Sequence, residues 1–165
     1  MNATSMAISS VASQVQREHL LAGSANDGQL PRGPCDEEFV ALRDAYRSSG
    51  GVERGDDLAR WMEGCSSGDF VSLARLIVAG EVFSFEWHHS FWIPMFQFEL
   101  PALRLRDGPR RVLAELAPAF DGWRLAQWFV QPNDALATRR PLDLIDHQLD
   151  AVLAAARADR FVAIG

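Results

Sequence analysis

Positive charge is in short supply in this chain. It contains no lysine; its sixteen basic residues are all arginine, set against twenty-two acids, for a formal net charge of −6. Proteins that neutralise many phosphates are usually basic, so charge alone gives no sign of a nucleic-acid binder. Cysteine is scarce as well. Cys35 and Cys65 form neither a disulfide framework nor a zinc-ligand pattern, and they read as free thiols in a reducing compartment. Long apolar runs are missing. No stretch approaches the ~20 apolar residues that span a bilayer, and residues 1–16 lack the basic start and continuous apolar run of a secretory signal. The expectation is a cytoplasmic protein with no membrane contact.

Apolar and aromatic side chains are plentiful. Hydrophobic residues make up 48% of the 165, with ten Phe and five Trp. At roughly 25 cal/mol per Å2 of apolar surface, that is enough for a core without covalent staples. The length suits one compact domain or two small ones sharing a core.

Residues 1–34 are rich in Ser, Ala, Asn and Gly and close on Pro31-Arg32-Gly33-Pro34. They read as a disordered tail, with Ile8, Val11 and Val15 at the spacing of one weak helix. Order is expected from Asp36, where three acids suit the positive end of a helix dipole. Phe39, Leu42 and Tyr46 then mark its buried face, and Gly50-Gly51 stops it. A second helix starts near Asp56-Asp57 and carries Leu58, Trp61 and Met62. A third is expected over residues 70–79, capped by Asp69, with Phe70, Leu73 and Ile77 inward and Gly80 past its end.

The period then changes. Phe83, Phe85 and Trp87 alternate with Ser84 and Glu86, and a second aromatic run follows His88-His89-Ser90. Two such runs around a short polar turn predict one β-hairpin. Pro94 makes its strand an edge, or ends the pairing there. From Pro101 the chain reads as helical: Val112, Leu113 and Leu116; an Asp121-capped helix with Trp123, Ala126, Phe129 and Val130; a short helix opened by Pro141; and a last helix on Leu149, Val152, Leu153 and Ala156. The fold class expected is mainly α with one β-hairpin: a winged-helix-like region over 35–100, then a small helical domain over 101–165.

No catalytic signature is present: no Gly-rich phosphate loop, no nucleophile elbow, no His-Glu-x-x-His. His88 and His89 are adjacent on a hairpin, so they face opposite ways and read as a solvated tip rather than a metal site. His147, beside Asp146 and Asp150, reads as a surface pair, and His19 lies in the tail. The carboxylates gather at helix starts, where capping explains them. Trp61, Trp123 and Trp128 lie among apolar helix neighbours and read as core; Trp87 and Trp92 flank the turn and can pair across strands. No enzyme activity, metal or cofactor is expected.

Two stretches carry a resemblance. Residues 56–98 run helix, turn, helix, Gly, two strands, the order of a winged helix-turn-helix, and the hairpin exit reads Ile93-Pro94-Met95-Phe96-Gln97-Phe98. Behind it come Trp128-Phe129, Pro132-Asn133, Leu136, Pro141-Leu142-Asp143-Leu144-Ile145, Val152 and Ala155-Ala156. This order, over about residues 110–165, resembles the toxin-binding C-terminal domain of Xre/MbcA/ParS-type antitoxins. The resemblance implies an antitoxin-like protein, commonly a homodimer, that binds and neutralises a RES-type, NAD-consuming toxin. It makes Trp128, Pro132, Asn133, Arg139, Arg140, Arg157, Arg160, Phe161 and Ile164 the candidate partner contacts. For Arg157 and Arg160 the bland alternative is the polar face of the last helix, with Asp159 between them.

The resemblance also implies autoregulatory DNA binding, with Arg54, Ser72, Arg75, His88 and His89 as the candidates. That binding is expected to be weak, or lost, or dependent on dimerisation and a partner, since residues 36–80 hold nine acids against five arginines and only Arg75 is a strong contact side chain on the third helix. The loop over residues 135–140 lacks the Gly-Gly often found after the Leu, so a different turn is expected there. Two other readings stand beside this one: a winged-helix regulator without a toxin partner, and an enzyme with a Trp-lined pocket.

Overall fold

The protein is described by a computed structural model that covers residues 34–65 and 72–165. The expected tail with its Ile8–Val11–Val15 spacing, His19, and the Asp69-Phe70 helix start lie outside the described residues.

Helix α1 (Asp36–Tyr46) begins with three acids and buries Phe39, Leu42 and Tyr46, as the spacing predicts. The Glu38 carboxylate accepts from the Cys35 backbone N–H at 2.9 Å, satisfying one of the amides a helix start leaves open. A 3-10 turn (Arg47–Ser49) follows, and Gly50 turns the chain at φ 98°. A Cβ at that position would meet the Cβ of Met95 at 3.1 Å, so glycine is required there by both conformation and space.

Strand β1 (Val52–Arg54) comes next and leads directly into α2 (Gly55–Cys65). This strand is not visible in the sequence. It is three residues long, two of them exposed charges, and it exists because its backbone pairs with a later strand. Helix α3 runs only from Leu73 to Val78. Ser72 stands at its N-cap, in extended conformation, a position that serine serves well. Leu73 and Leu76 are its buried residues, and Gly80 follows at φ 69°.

Strands β2 (Phe85–Trp87) and β3 (Ser90–Pro94) form the expected hairpin. With β1 they make an antiparallel sheet in the order β1-β3-β2. Phe85 faces Trp92 and Trp87 faces Ser90; on the other side Val52 faces Pro94 and Arg54 faces Trp92. Strand β3 is therefore central, not an edge. Pro94 is tolerated because it occupies the strand's last position, where the ladder ends. His88 and His89 form a two-residue turn with φ of 47° and 57°, the sign pattern of a type I′ turn that usually recruits Asn-Gly.

A second ribbon pairs β4 (Phe98–Glu99) with β5 (Arg104–Leu105), joined to β3 by a 3-10 turn (Met95–Gln97). The expectation of a single hairpin with helix from Pro101 is thus corrected: helix begins only at α4 (Asp107–Leu116). Helices α5 (Gly122–Val130), α6 (Pro141–Leu144) and α7 (Leu149–Ile164) follow. Asp121 caps α5, accepting from the Arg124 N–H at 2.8 Å, and Pro141 is the first residue of α6, both as expected. The described residues hold seven α-helices, so the chain is mainly α with small antiparallel sheets.

Successive strand residues point to opposite faces, and here both faces of the three-stranded sheet are apolar. Phe85, with Trp87 and Trp92 beside it, joins the larger core, which also draws Phe39, Leu42 and Tyr46 from α1 and all of the buried residues of α5, α6 and α7 except Gly122 and Pro141. Ile93 joins the smaller core, with Leu58, Leu73, Leu76, Val82, Met95, Phe98 and Leu103. The larger core therefore spans both segments that the sequence suggests dividing near residue 100.

Polar ties reinforce it. The Tyr46 hydroxyl donates to the Ala126 carbonyl at 2.7 Å. The buried Gln97 amide accepts from the Phe83 N–H at 2.9 Å and donates to the Phe83 and Pro94 carbonyls at 3.0 Å each. An amide buried with its partners complete specifies one arrangement of the chain around it.

Candidate partner-docking surface

The surface marked by the resemblance is built on α5, the 132–140 loop and α7. Helix α5 buries Leu125, Ala126, Trp128 and Phe129, and Pro132 follows it exposed. Trp128 is 8% exposed and packs edge-on to Phe129 at 5.2 Å. Its role is in the core, as its apolar neighbours predict, and it offers a partner little surface. Trp123 likewise packs on Phe85 at 5.3 Å. Trp61 departs from that expectation: it is 43% exposed on α2, because Leu58 and Ala59 supply that helix's buried side.

The Trp128 indole N–H does not stay unpaired. It donates to Asp159 Oδ2 at 2.7 Å, and Asn133 Nδ2 donates to the same oxygen at 2.7 Å. One carboxylate oxygen thus joins α5, the loop and α7. Asn133 also caps the 3-10 turn Asp134–Leu136 by accepting from the Ala135 N–H at 2.9 Å, and it bridges Arg139 through its backbone.

Arg157 and Arg160 do not pair with Asp159. Both turn to Glu115 on α4: Arg157 Nε at 2.9 Å from one oxygen, an Arg160 Nη at 2.8 Å from the other. Two guanidinium groups on one carboxylate leave a net positive charge and several N–H donors unused. Arg140 makes a bidentate pair with Asp143, both contacts at 2.7 Å; this hydrogen bonding, opposed by slight desolvation and helped by charge attraction, raises the guanidinium pKa. Among the described residues Arg139 has no carboxylate partner. It reaches Gln148 Oε1 at 3.2 Å and the Leu136 carbonyl at a long 3.4 Å.

The last turn of α7 is bare. Phe161 and Val162 are each 79% exposed and Ile164 is 64% exposed. Of the sequence-derived partner residues, the structure joins Trp128 with Asn133 through Asp159, and Arg157 with Arg160 through Glu115. Arg139 is tied to Asn133 by its backbone, and Pro132, Arg140, Phe161 and Ile164 are linked to these by chain position alone. Glu115 was not singled out from the sequence and Asp159 was named only as the acid between Arg157 and Arg160, since their partners lie 26 to 45 residues away and no local pattern announces such pairings.

The DNA-contact candidates are dispersed. Arg54 is exposed, 3.9 Å from Asp56. Ser72 is engaged as the cap of α3, and Arg75 is exposed one turn along. His88 lies at the hairpin tip, stacked on Trp87 at 3.9 Å with Nε2 3.1 Å from Asp36, and His89 is fully solvated beside Glu86. Arg75 is tied to Ser72 through its backbone N–H, which the capping serine accepts; among the described residues no hydrogen bond, ion pair or ring contact joins its guanidinium to Arg54, His88 or His89. Among the described residues no group of three or more His, Cys, Asp or Glu could hold a metal ion, and no helix is long and apolar enough to cross a membrane. No protein-family model, curated protein or solved structure matches the chain.

Proposed function

We propose that this chain is a non-enzymatic, antitoxin-like binding protein that neutralises a RES-type, NAD-consuming toxin through the end of α7 and the neighbouring 132–140 loop. The observation that carries the reading is the exposed turn Phe161, Val162 and Ile164. Apolar side chains grouped on a surface, with charged groups at the border, are the usual mark of a protein contact. Arg157 and Arg160 supply that border. The order of residues that resembles the antitoxin domain falls on this same part of the chain.

The test is co-expression with a RES-domain protein encoded beside the chain, followed by capture and an assay of NAD loss. The wild-type chain is expected to form a complex and suppress NAD consumption; Phe161→Asp and Arg160→Glu are expected to abolish both. Failure of the wild-type chain to bind, or NAD loss that is the same with and without it, overturns the reading.

A second reading is a winged-helix regulator, favoured by one specific observation: the element order α1-β1-α2-α3-β2-β3 with the sheet order β1-β3-β2. Its test is a mobility shift on upstream DNA at low and high salt, with Arg75→Ala expected to remove the shift. The acid excess of residues 36–80 weighs against strong binding.

A further inference from the structure

Resting on the docking reading, we infer that the 132–140 loop is a preorganised contact element, that Arg139 is its anion-seeking group, and that Asp159 is the positioning residue that holds it in display.

Ala137 and Thr138 are consecutive non-glycine residues in the left-handed region, at φ 54° and 60°. Left-handed backbone crowds a Cβ, and residues held there persist only where their surroundings over-determine the conformation. The surroundings do so here. The Thr138 N–H donates to the Asn133 carbonyl at 3.0 Å, the Asn133 N–H to the Arg139 carbonyl at 3.1 Å, and the Ala137 N–H to the Asp134 carbonyl at 3.2 Å. Asn133 is in turn fixed to α7 by Asp159, and Asp159 is fixed to the core by the Trp128 indole. The chain of constraint runs from the core outward and ends at an exposed loop.

What that loop presents is specific. Arg140 is engaged by Asp143, and Arg157 and Arg160 by Glu115. Arg139, between the strained pair and α6, is among the described residues the one arginine of the docking face without a carboxylate, held by a long contact and a neutral amide. A planar guanidinium with free donors matches a carboxylate in a bidentate fork. The partner group we assign to it is therefore a carboxylate side chain on the docked protein. A rigid loop pays less ordering entropy on association than a slack one, which gives the strain a purpose that stability does not.

The experiment compares three variants of the full chain with the RES-domain protein as the binding probe. Ala137→Gly with Thr138→Gly is expected to raise Tm by about 2–8 °C while weakening binding by about tenfold. Asp159→Ala removes the one oxygen that both donors share. It is expected to speed amide exchange at Ala137 and Thr138 and to weaken binding by a similar factor. Arg139→Gln is expected to leave Tm unchanged and to remove part of the salt dependence of binding. Glycine substitution that changes affinity by less than twofold overturns the preorganisation, and unchanged loop exchange in Asp159→Ala overturns the positioning role. A wild-type chain that binds nothing sinks the docking reading itself, while the exchange measurement still judges Asp159 separately.

Discussion

Residues 36–100 carry twelve acids against five arginines, and residues 101–165 carry eight acids against nine arginines. The net negative charge of the chain is therefore a property of its first segment. The second segment is nearly balanced and ends in the bare apolar turn of α7. The contrast teaches that the two segments are suited to different neighbours. A strongly acidic surface repels phosphate, whereas the arginine-bordered apolar end is the place of the proposed partner contact. Yet the segments are not separate bodies of packing, because the larger core takes Phe39, Tyr46, Phe83, Phe85 and Phe96 from the first and Leu116, Leu125, Phe129 and Val152 from the second.

The sharpest way to break the comparison is to cut that shared core. Phe129 is fully buried and meets Phe83 at 5.7 Å and Phe96 at 4.8 Å. Phe129→Ala is expected to cost about 3–5 kcal/mol. Denaturant curves followed by tryptophan fluorescence and by far-UV circular dichroism should shift together. Curves that separate would show that the first segment stands without the second.

Gln97→Leu comes next. It strips a buried backbone N–H and two carbonyls of their amide partner, and a loss of about 2–3 kcal/mol is expected. Chemical denaturation measures it, and a loss under half of that would mean the Phe83 backbone finds another partner.

Tyr46 gives a smaller and pH-dependent effect. Burial pushes its phenol well above the usual value, so the fold favours the neutral form. Its contribution is complete below the unfolded value of about 10 and disappears as pH rises from there through the higher folded value. As the chain has one tyrosine, phenolate absorbance should appear together with alkaline unfolding. At neutral pH, Tyr46→Phe should cost about 1 kcal/mol for the lost bond to Ala126.

The smallest effect belongs to the second segment's open end. Phe161→Ser should leave thermal stability within about 0.5 kcal/mol of wild type, since the side chain is 79% exposed. A clear drop in Tm would mean that this turn packs against something within the protein, which would weaken its assignment to a partner.

Long periodic segments were legible from the residues alone. The buried stripe of α1, the aromatic hairpin, the Asp121 cap, the Pro141 start and the stripe of α7 all follow from local spacing. Strands β1 and β5 were not legible, because two- and three-residue strands have too few positions to show a period and exist only through their partners. The 132–140 loop makes the same point about the candidate site. Without Gly-Gly a different turn was expected, yet Ala137 and Thr138 both take left-handed backbone, held there by Asn133 and Asp159.

Composition and local period thus determined the acidic character of residues 36–80, the mainly helical build and the buried faces of the long helices, since each depends on neighbours within a few turns. The pairing of Asp159 with Trp128 and Asn133, the capture of Arg157 and Arg160 by Glu115, and the single core shared by both segments were decided only by tertiary structure. Those depend on which distant groups lose water together, and a hydrogen bond or ion pair across 26 to 45 residues leaves no trace in the order of the residues between.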